Sequence, residues 1–303
     1  MASHAESLPA RARARVDVLV QERRHLLNLG YRLLGSLTDA EDVAQETYAR
    51  WYALDEAERD RIRSPGAWLT TAATRICLDV LGSARVRRER YTGSWLPEPV
   101  PDPVTAPDPA DQITLDDSVS MALLVVLDTL TAAERVPFVL HDVYAYPFPE
   151  IARIVDRTPG ACRQLAASAR ARVRSTDPEA PASPTAEQAA TVRRFKQAWD
   201  EADIRALVAL LDPDVIAVAD GGGKASALPE PMRGGPSVAR FLVEAVRRGP
   251  RLDVVEQPVN GEPGLAARAD GAVVTVVAFR FGARRITHLW AIRNPDKLRP
   301  WAA

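Results

Sequence analysis

The chain has 303 residues, 47% hydrophobic and 26% charged, with a formal net charge of −1; this is too apolar for a disordered chain and long enough for about two or three domains. Its longest apolar runs, such as Met121–Leu127, fall far short of the ~20 residues of a membrane helix, and the opening MASHAESLPARARAR offers no apolar stretch for a secretory leader. The two cysteines, Cys77 and Cys162, lack metal-ligand spacing and exclude a disulfide framework, so a reducing cytoplasm is expected.

Charge is distributed unevenly. Of 39 basic residues only Lys196, Lys224 and Lys297 are lysines. Arg75–Arg90 holds five basic residues against two acidic ones, and Arg157–Arg174 five against none. A nucleic-acid footprint is local, so a neutral total does not argue against one. Residues 92–112 contain six prolines and cannot form a helix or central strand. Residues 175–187, with Pro178, Pro181 and Pro184, read as a second linker. The chain thus divides into 10–91, 113–174 and 188–303.

The first segment reads as helical. Ala40, Val43, Ala44, Thr47, Tyr48 and Trp51 recur at helical spacing, with Thr38 as the expected N-cap. Asp39, Asp42 and Glu46 fall on the other side, either as a solvated face or as a docking face for a basic partner. A second helix is expected from Trp68 to about Val80, carrying Arg75 and followed by Arg85, Arg87, Arg88 and Arg90. The aromatic and basic residues around its start, Trp51, Tyr52, Arg61, Arg63 and Trp68, are candidates to receive unstacked bases, with core packing the alternative for both tryptophans.

The middle segment ends in a helix-turn-helix pattern. Phe148–Val155 is a short helix, Asp156-Arg157 turns, Thr158 caps, and Pro159 stands at the first helical position. In the following helix Ala161, Cys162, Leu165, Ala166, Ala169 and Val173 share one side. Arg163, Gln164, Ala167, Arg170 and Arg174 share the other, which suits a major groove.

The third segment is α+β. Helices are expected around Val192–Trp199, over Asp203–Leu211 (stopped by Asp212-Pro213-Asp214) and over Ser237–Arg248. Strands are expected at Val215–Ala219, Leu252–Val255, Gly264–Ala269, Ala272–Phe281 and Arg285–Ile292, the later ones a meander turning at Asn260-Gly261 and Asp270-Gly271. Alternation puts Ile286, His288, Trp290 and Ile292 on one face of the last strand.

Asp39-Ala40-Glu41-Asp42-Val43-Ala44-Gln45-Glu46-Thr47 resembles the core-polymerase-binding helix of sigma-70 family initiation factors. Trp68–Asp79 resembles the promoter-melting, minus-ten-reading helix, and Leu127–Arg174 resembles region 4, which reads the minus-thirty-five element. The resemblance covers about residues 15–175 and is to the extracytoplasmic-function (ECF) type. Three further stretches, Trp95-Leu96-Pro97-Glu98-Pro99, Asp220-Gly221-Gly222-Gly223-Lys224 and Asn294-Pro295-Asp296-Lys297-Leu298, resemble signatures of an ECF group with a fused SnoaL-like domain of the NTF2-like fold.

The resemblance implies two all-α sigma domains followed by an α+β cone. Asp39, Glu41, Asp42, Gln45 and Glu46 would meet core polymerase. Arg61, Arg63, Trp68, Thr71, Arg75, Arg85, Arg87 and Arg88 would meet minus-ten DNA, and Thr158, Gly160, Arg163, Gln164, Ala167, Arg170 and Arg174 minus-thirty-five DNA. The extension would regulate the factor in cis, with the three signatures as its regulatory residues and with Asp296 and Lys297 pairing with the Arg85–Arg90 run. No cofactor, metal or membrane is implied; a small ligand of the cone is a further candidate partner.

Two other classes stay open: a helix-turn-helix regulator with a ligand-binding domain, and a SnoaL-like enzyme fused to a DNA-binding module. For the enzyme, His288 is the one histidine of the third segment, with Asp220, Asp253, Glu256 and Asp270 as carboxylates. All six tyrosines precede residue 147, so that segment holds no tyrosine oxyanion donor.

Overall fold

The computed structural model describes residues 10–89, 91–101, 119–176, 186–248, 252–282 and 285–302, apart from the side chains of 10–21, 84–89, 176 and 246. The chain forms two compact units: residues up to Ala84 with Leu130–Ala169, and Arg85–Thr129 with Arg170 onward.

The first unit is helical. α1 (Ala10–Leu34) and α2 (Leu37–Ala53) pack against each other. The cap of α2 is Ser36, whose Oγ accepts from Asp39 N at 3.1 Å, not the expected Thr38; Gly35, at φ +69, turns the chain just before it. α3 (Glu56–Arg61) carries a reciprocal Asp55/Glu58 capping box. α4 runs from Pro65 to Glu89, longer than expected at both ends. Pro65 is tolerated at the first position, and past Val80 the strong helix formers Leu81, Ala84, Arg85, Arg87, Arg88 and Glu89 outweigh Gly82. α6 (Ala132–Phe138) begins with a Thr131/Glu134 capping box and contains Pro137, whose missing N–H is followed by a π-helical stretch, Val139–Val143. The helix-turn-helix is α7 (Phe148–Ile154) and α8 (Pro159–Thr176). Asp156 at φ +52 makes the turn, and Thr158 Oγ1 accepts from Ala161 N.

The second unit holds α5 (Met121–Asp128), α9 (Ala186–Asp200), α10 (Ile204–Leu210), α11 (Gly235–Arg248) and a sheet of β1 (Leu211–Asp220), β2 (Met232–Arg233), β3 (Asp253–Glu256), β4 (Leu265–Ala269), β5 (Ala272–Phe281) and β6 (Ile286–Ile292). Strand order is β2-β1-β6-β5-β4-β3, with β1 parallel to β6 and the remaining pairs antiparallel, so β3 to β6 form the expected meander and β1 joins it in parallel along β6. Asp212-Pro213-Asp214 does not separate α10 from the strand: β1 starts at Leu211 and absorbs the proline in a register break before Ile216. Within such a bulge the missing proline N–H leaves no ladder bond unmade.

One face of the sheet packs on α9, α10 and α11 through Phe195, Trp199, Leu207, Val238, Val277, Phe279 and Leu289. The other face, with Ala266, Val276, Ala278, Trp290 and Ile292, is covered by Leu96, Met121, Ala122, Leu298 and Trp301. A register shift beside Phe281 and Ile286 moves Ile286 to the helix side, so it does not share a face with Trp290 and Ile292 as expected. α5, read as the start of the middle segment, belongs to this unit because Met121 and Ala122 bury on the sheet.

Candidate nucleic-acid interface and a buried carboxylate clasp

α2 buries Leu37, Ala40, Val43, Ala44, Thr47 and Trp51. That leaves Glu41, Asp42, Gln45 and Glu46 exposed and Asp39 half-buried along the opposite side. Glu46 pairs with Arg50 at 2.9 Å, an exposed i,i+4 bridge of a few tenths of a kcal/mol. The face is therefore an acidic strip on a rigid helix.

Arg61 and Arg63 are exposed at the end of α3 and before α4. Trp51 is buried and meets Trp68 edge-on, with ring centroids 5.3 Å apart, so the pair packs; Tyr52 is 61% exposed. The Thr71 hydroxyl is used within its own helix, donating to Ala67 O at 2.8 Å. Arg75 donates from Nε to Ile154 O at 3.2 Å and from a terminal nitrogen to Arg153 O at 3.3 Å, capping the end of α7. The side chains of Arg85, Arg87 and Arg88 lie outside the described residues.

On α8, Cys162, Ala166 and Ala169 are fully buried. Arg163, Gln164, Ala167 and Arg174 are exposed and Arg170 is half-buried. Arg163 lies over the Phe148 ring, 5.5 Å from its centroid, which orients it at the α7–α8 corner. A β-carbon at Gly160 would meet only Thr158 Oγ1, at an ordinary contact distance of 4.0 Å, so no backbone approach demands glycine there.

The three signature stretches meet at one carboxylate in the second unit. Asp220, at the end of β1, is fully buried. Its Oδ1 accepts from Tyr91 OH (2.6 Å) and Gly222 N (3.0 Å), and its Oδ2 from Leu96 N (2.9 Å) and Lys297 Nζ (2.7 Å). Asn294 Nδ2 donates to Tyr91 OH at 2.8 Å. Lys297 also donates to Leu96 O and sits 4.2 Å over the Trp95 ring.

Pro97, Glu98 and Pro99 are buried, Trp301 Nε1 donates to Pro99 O (2.9 Å), and Asn260 ties Val100 N to Val119 O, at 3.1 Å each. Gly222, at φ +58, must be glycine: a β-carbon would fall 2.3 Å from Asn294 Nδ2. At the rim Lys224 pairs with Asp296 at 2.5 Å, which holds the Asp296 carboxyl below its usual range. Gly221 is buried, Gly223 and Pro295 are exposed, and Leu298 joins the apolar face beside Trp301.

Asp296 and Lys297 pair inside this unit with Lys224 and Asp220; the side chains of the Arg85–Arg90 run, with which they were expected to pair, lie outside the described residues. Burial, with the hydrogen bond to Asp220 second, pushes the Tyr91 phenol well up. A tyrosine therefore does reach this domain, from before the proline-rich stretch, contrary to the expectation from the third segment alone. Each Asp220 oxygen already accepts two hydrogen bonds, so the carboxylate holds chain segments together and has no lone pair left for a substrate proton. His288 stacks on Trp290 at 5.6 Å, while Asp253, Glu256 and Asp270 are exposed. The sequence patterns point to none of Tyr91, Asn260 and Trp301 as parts of the clasp: Asn260 reads only as a turn, and the partners of Tyr91 and Trp301 lie 129 and 202 positions away.

Residues 19–90 match the family described as sigma-70 region 2, and residues 120–173 the family described as sigma-70 region 4. The chain is 39% identical over 287 residues to the ECF RNA polymerase sigma factor SigJ of Mycobacterium tuberculosis, covering 91% of this chain and 90% of that protein. It is 34% identical over 281 residues to the probable ECF RNA polymerase sigma factor SigI of the same species, covering 93% of each. The crystal structure of M. tuberculosis SigJ superimposes with a TM-score of 0.75 at 34% identity, covering 94% of this chain and 98% of that one.

Proposed function

Because this chain belongs to the ECF sigma factors of the sigma-70 family, we propose that its C-terminal domain regulates promoter initiation in cis through the Asp220 clasp. The sigma regions direct core RNA polymerase to promoters; the relatives are initiation factors, whose work is binding. In our reading the acidic strip of α2 docks on core polymerase, where charge complementarity sets orientation and encounter rate. The exposed Arg163, Gln164 and Arg174 of α8 face minus-thirty-five DNA, with Arg170 at the edge, while Arg61 and Arg63 reach backbone phosphates near the minus-ten element. The protein works in the cytoplasm, where its polymerase is.

The observation that carries the regulatory reading is the clasp. One buried carboxylate ties the segment leaving region 2 (Tyr91 and Leu96) to the end of the chain (Lys297). The α5 helix that opens region 4 lies on the same sheet. Whatever moves the C-terminal domain therefore moves both attachments of the connection between the sigma regions. The hollow of the sheet is packed by Phe195, Trp199 and Phe279, with Phe195 and Phe279 5.1 Å apart, which favours regulation by contact over regulation by a small ligand. Run-off transcription with core polymerase tests this: Asp220→Asn and truncation before Asn294 should each change transcript yield several-fold, with an increase expected. Equal yield from parent and both variants overturns it.

A further inference from the structure

Three consecutive elements of region 4 meet at one ring. Phe148, the first residue of α7, stacks on His141 of the π-helical stretch, with ring centroids 4.0 Å apart and planes 28° from parallel. Arg163, in the second turn of α8, lays its guanidinium over the same Phe148 ring. The imidazole is itself fixed. His141 Nδ1 stands 2.9 Å from Tyr146 O, and because a carbonyl only accepts, Nδ1 carries the proton and donates. The backbone that bears the ring is stiff as well, since Pro147 and Pro149 flank Phe148 and each holds its own φ. His141 and Phe148 are half-buried, whereas Arg163 is exposed.

We infer that Phe148, backed by His141, is a positioning residue that holds Arg163 in one pose for reading a guanine, so that sequence preference depends on a ring that need not touch DNA itself. The inference rests on the reading that the exposed side of α8 faces minus-thirty-five DNA. An exposed arginine left to itself samples many rotamers, and a phosphate can be met from most of them. A bidentate guanine contact needs one plane and one direction. Stacking on Phe148 occupies a face of the guanidinium and leaves its edge N–H groups to donate. The position on α8 fits this role, because recognition helices contact base edges with their N-terminal residues. Only Arg163 and Gln164 bring long polar side chains to the first two turns; Arg170 and Arg174 stand about two and three turns further on. With Gly160, Ala161 and Ala167 as their neighbours, the pose of one arginine carries much of the discrimination.

A duplex pool randomised across the minus-thirty-five element is selected on full-length protein bound to core polymerase, and sequencing reads the preference at each base pair. The parent should prefer guanine at one position by about five- to a hundredfold, and Arg163→Ala should flatten that position. Phe148→Leu should weaken the same preference about two- to fivefold, and Phe148→Tyr, which keeps the ring, should restore it. In the Arg163→Ala background Phe148→Leu should change nothing further; an added loss in the double variant means that the ring only stabilises α7, and overturns the inference. In the free full-length protein the Arg163 side-chain protons should resonate upfield of their ordinary positions, because they lie over an aromatic ring. A position flattened by Arg163→Ala but intact in folded Phe148→Leu overturns the positioning role and leaves Arg163 as a reader. A pool unchanged by Arg163→Ala overturns the reader and the positioning role together. Arg163 protons at ordinary positions also overturn it, a result that needs no variant to fold.

Discussion

Replacing Lys297 by Ala leaves the Asp220 carboxylate fully buried, with its only described ion-pair partner gone. Breaking a buried pair by deleting one member costs about 3–5 kcal/mol, because the remaining charge is uncompensated. Three donors stay on Asp220, namely Tyr91 OH, Leu96 N and Gly222 N, so the low end, about 3 kcal/mol, is expected. A unit of this size loses about 2–4 °C of melting temperature per kcal/mol, giving a fall of about 6–12 °C for its transition. The matched control is Lys224→Ala, whose pair with Asp296 is 56% and 45% exposed; pairs of that kind contribute about 0–1 kcal/mol. The assay is thermal unfolding of the full chain, with limited proteolysis near residues 91–101 as a local readout, since the same variant releases Leu96 and Trp95 from the lysine. Similar losses for Lys297→Ala and Lys224→Ala, with the 91–101 segment equally protected in both, would refute the argument that burial makes Asp220 the anchor.

Four further outcomes follow from the same geometry. Gly222→Ala should cost more than about 2 kcal/mol in urea unfolding, because its β-carbon meets the Asn294 amide; Gly261→Ala, also at positive φ but in open space, should cost only about 1 kcal/mol. The Tyr91 phenol is raised, so it stays neutral in the fold while the unfolded chain ionises near its ordinary value of about 10. Its contribution is complete below that pH and fades as pH rises beyond it, and Tyr91→Phe should flatten this alkaline loss in unfolding curves taken from pH 8 to 11. Reversing Asp39, Asp42 and Glu46 to Lys should abolish copurification with core polymerase at unchanged helicity by circular dichroism, since none of the three lies on the buried face of α2. Arg163→Ala should weaken binding to minus-thirty-five DNA by about 1–3 kcal/mol with relaxed preference at one base pair, whereas a phosphate-holding arginine would instead lower the salt slope by about one; titrations at several salt concentrations separate the two.

Local order was legible where one short stretch of sequence contains its own cause. Thr158-Pro159 starts α8 because a hydroxyl cap and a residue without an N–H are both contiguous in the chain. The acidic strip of α2 and the Arg/Gln face of α8 follow from a 3.6-residue period and nothing more distant. Even the motifs of the clasp stood out as strings, since two of three lysines fall inside them in a chain that otherwise uses arginine.

What tertiary structure alone decided is everything that depends on which distant groups arrive together. Asp212-Pro213-Asp214 reads as the stop of the preceding helix, and only pairing of β1 with β6 shows that Pro213 lies inside the strand, absorbed by a bulge. Period-two alternation predicts one face for Ile286 through Ile292, and a single slipped residue in the β5–β6 ladder moves Ile286 across. The Arg75 side chain ends on the carbonyls of Arg153 and Ile154, 78 and 79 positions away, and Lys297 on Asp220, 77 positions back. A sequence determines what each residue can donate, accept or bury; the partner is set by the closure of long loops, whose cost depends only weakly on their length, so no spacing rule in the chain marks which carboxylate a given lysine will meet.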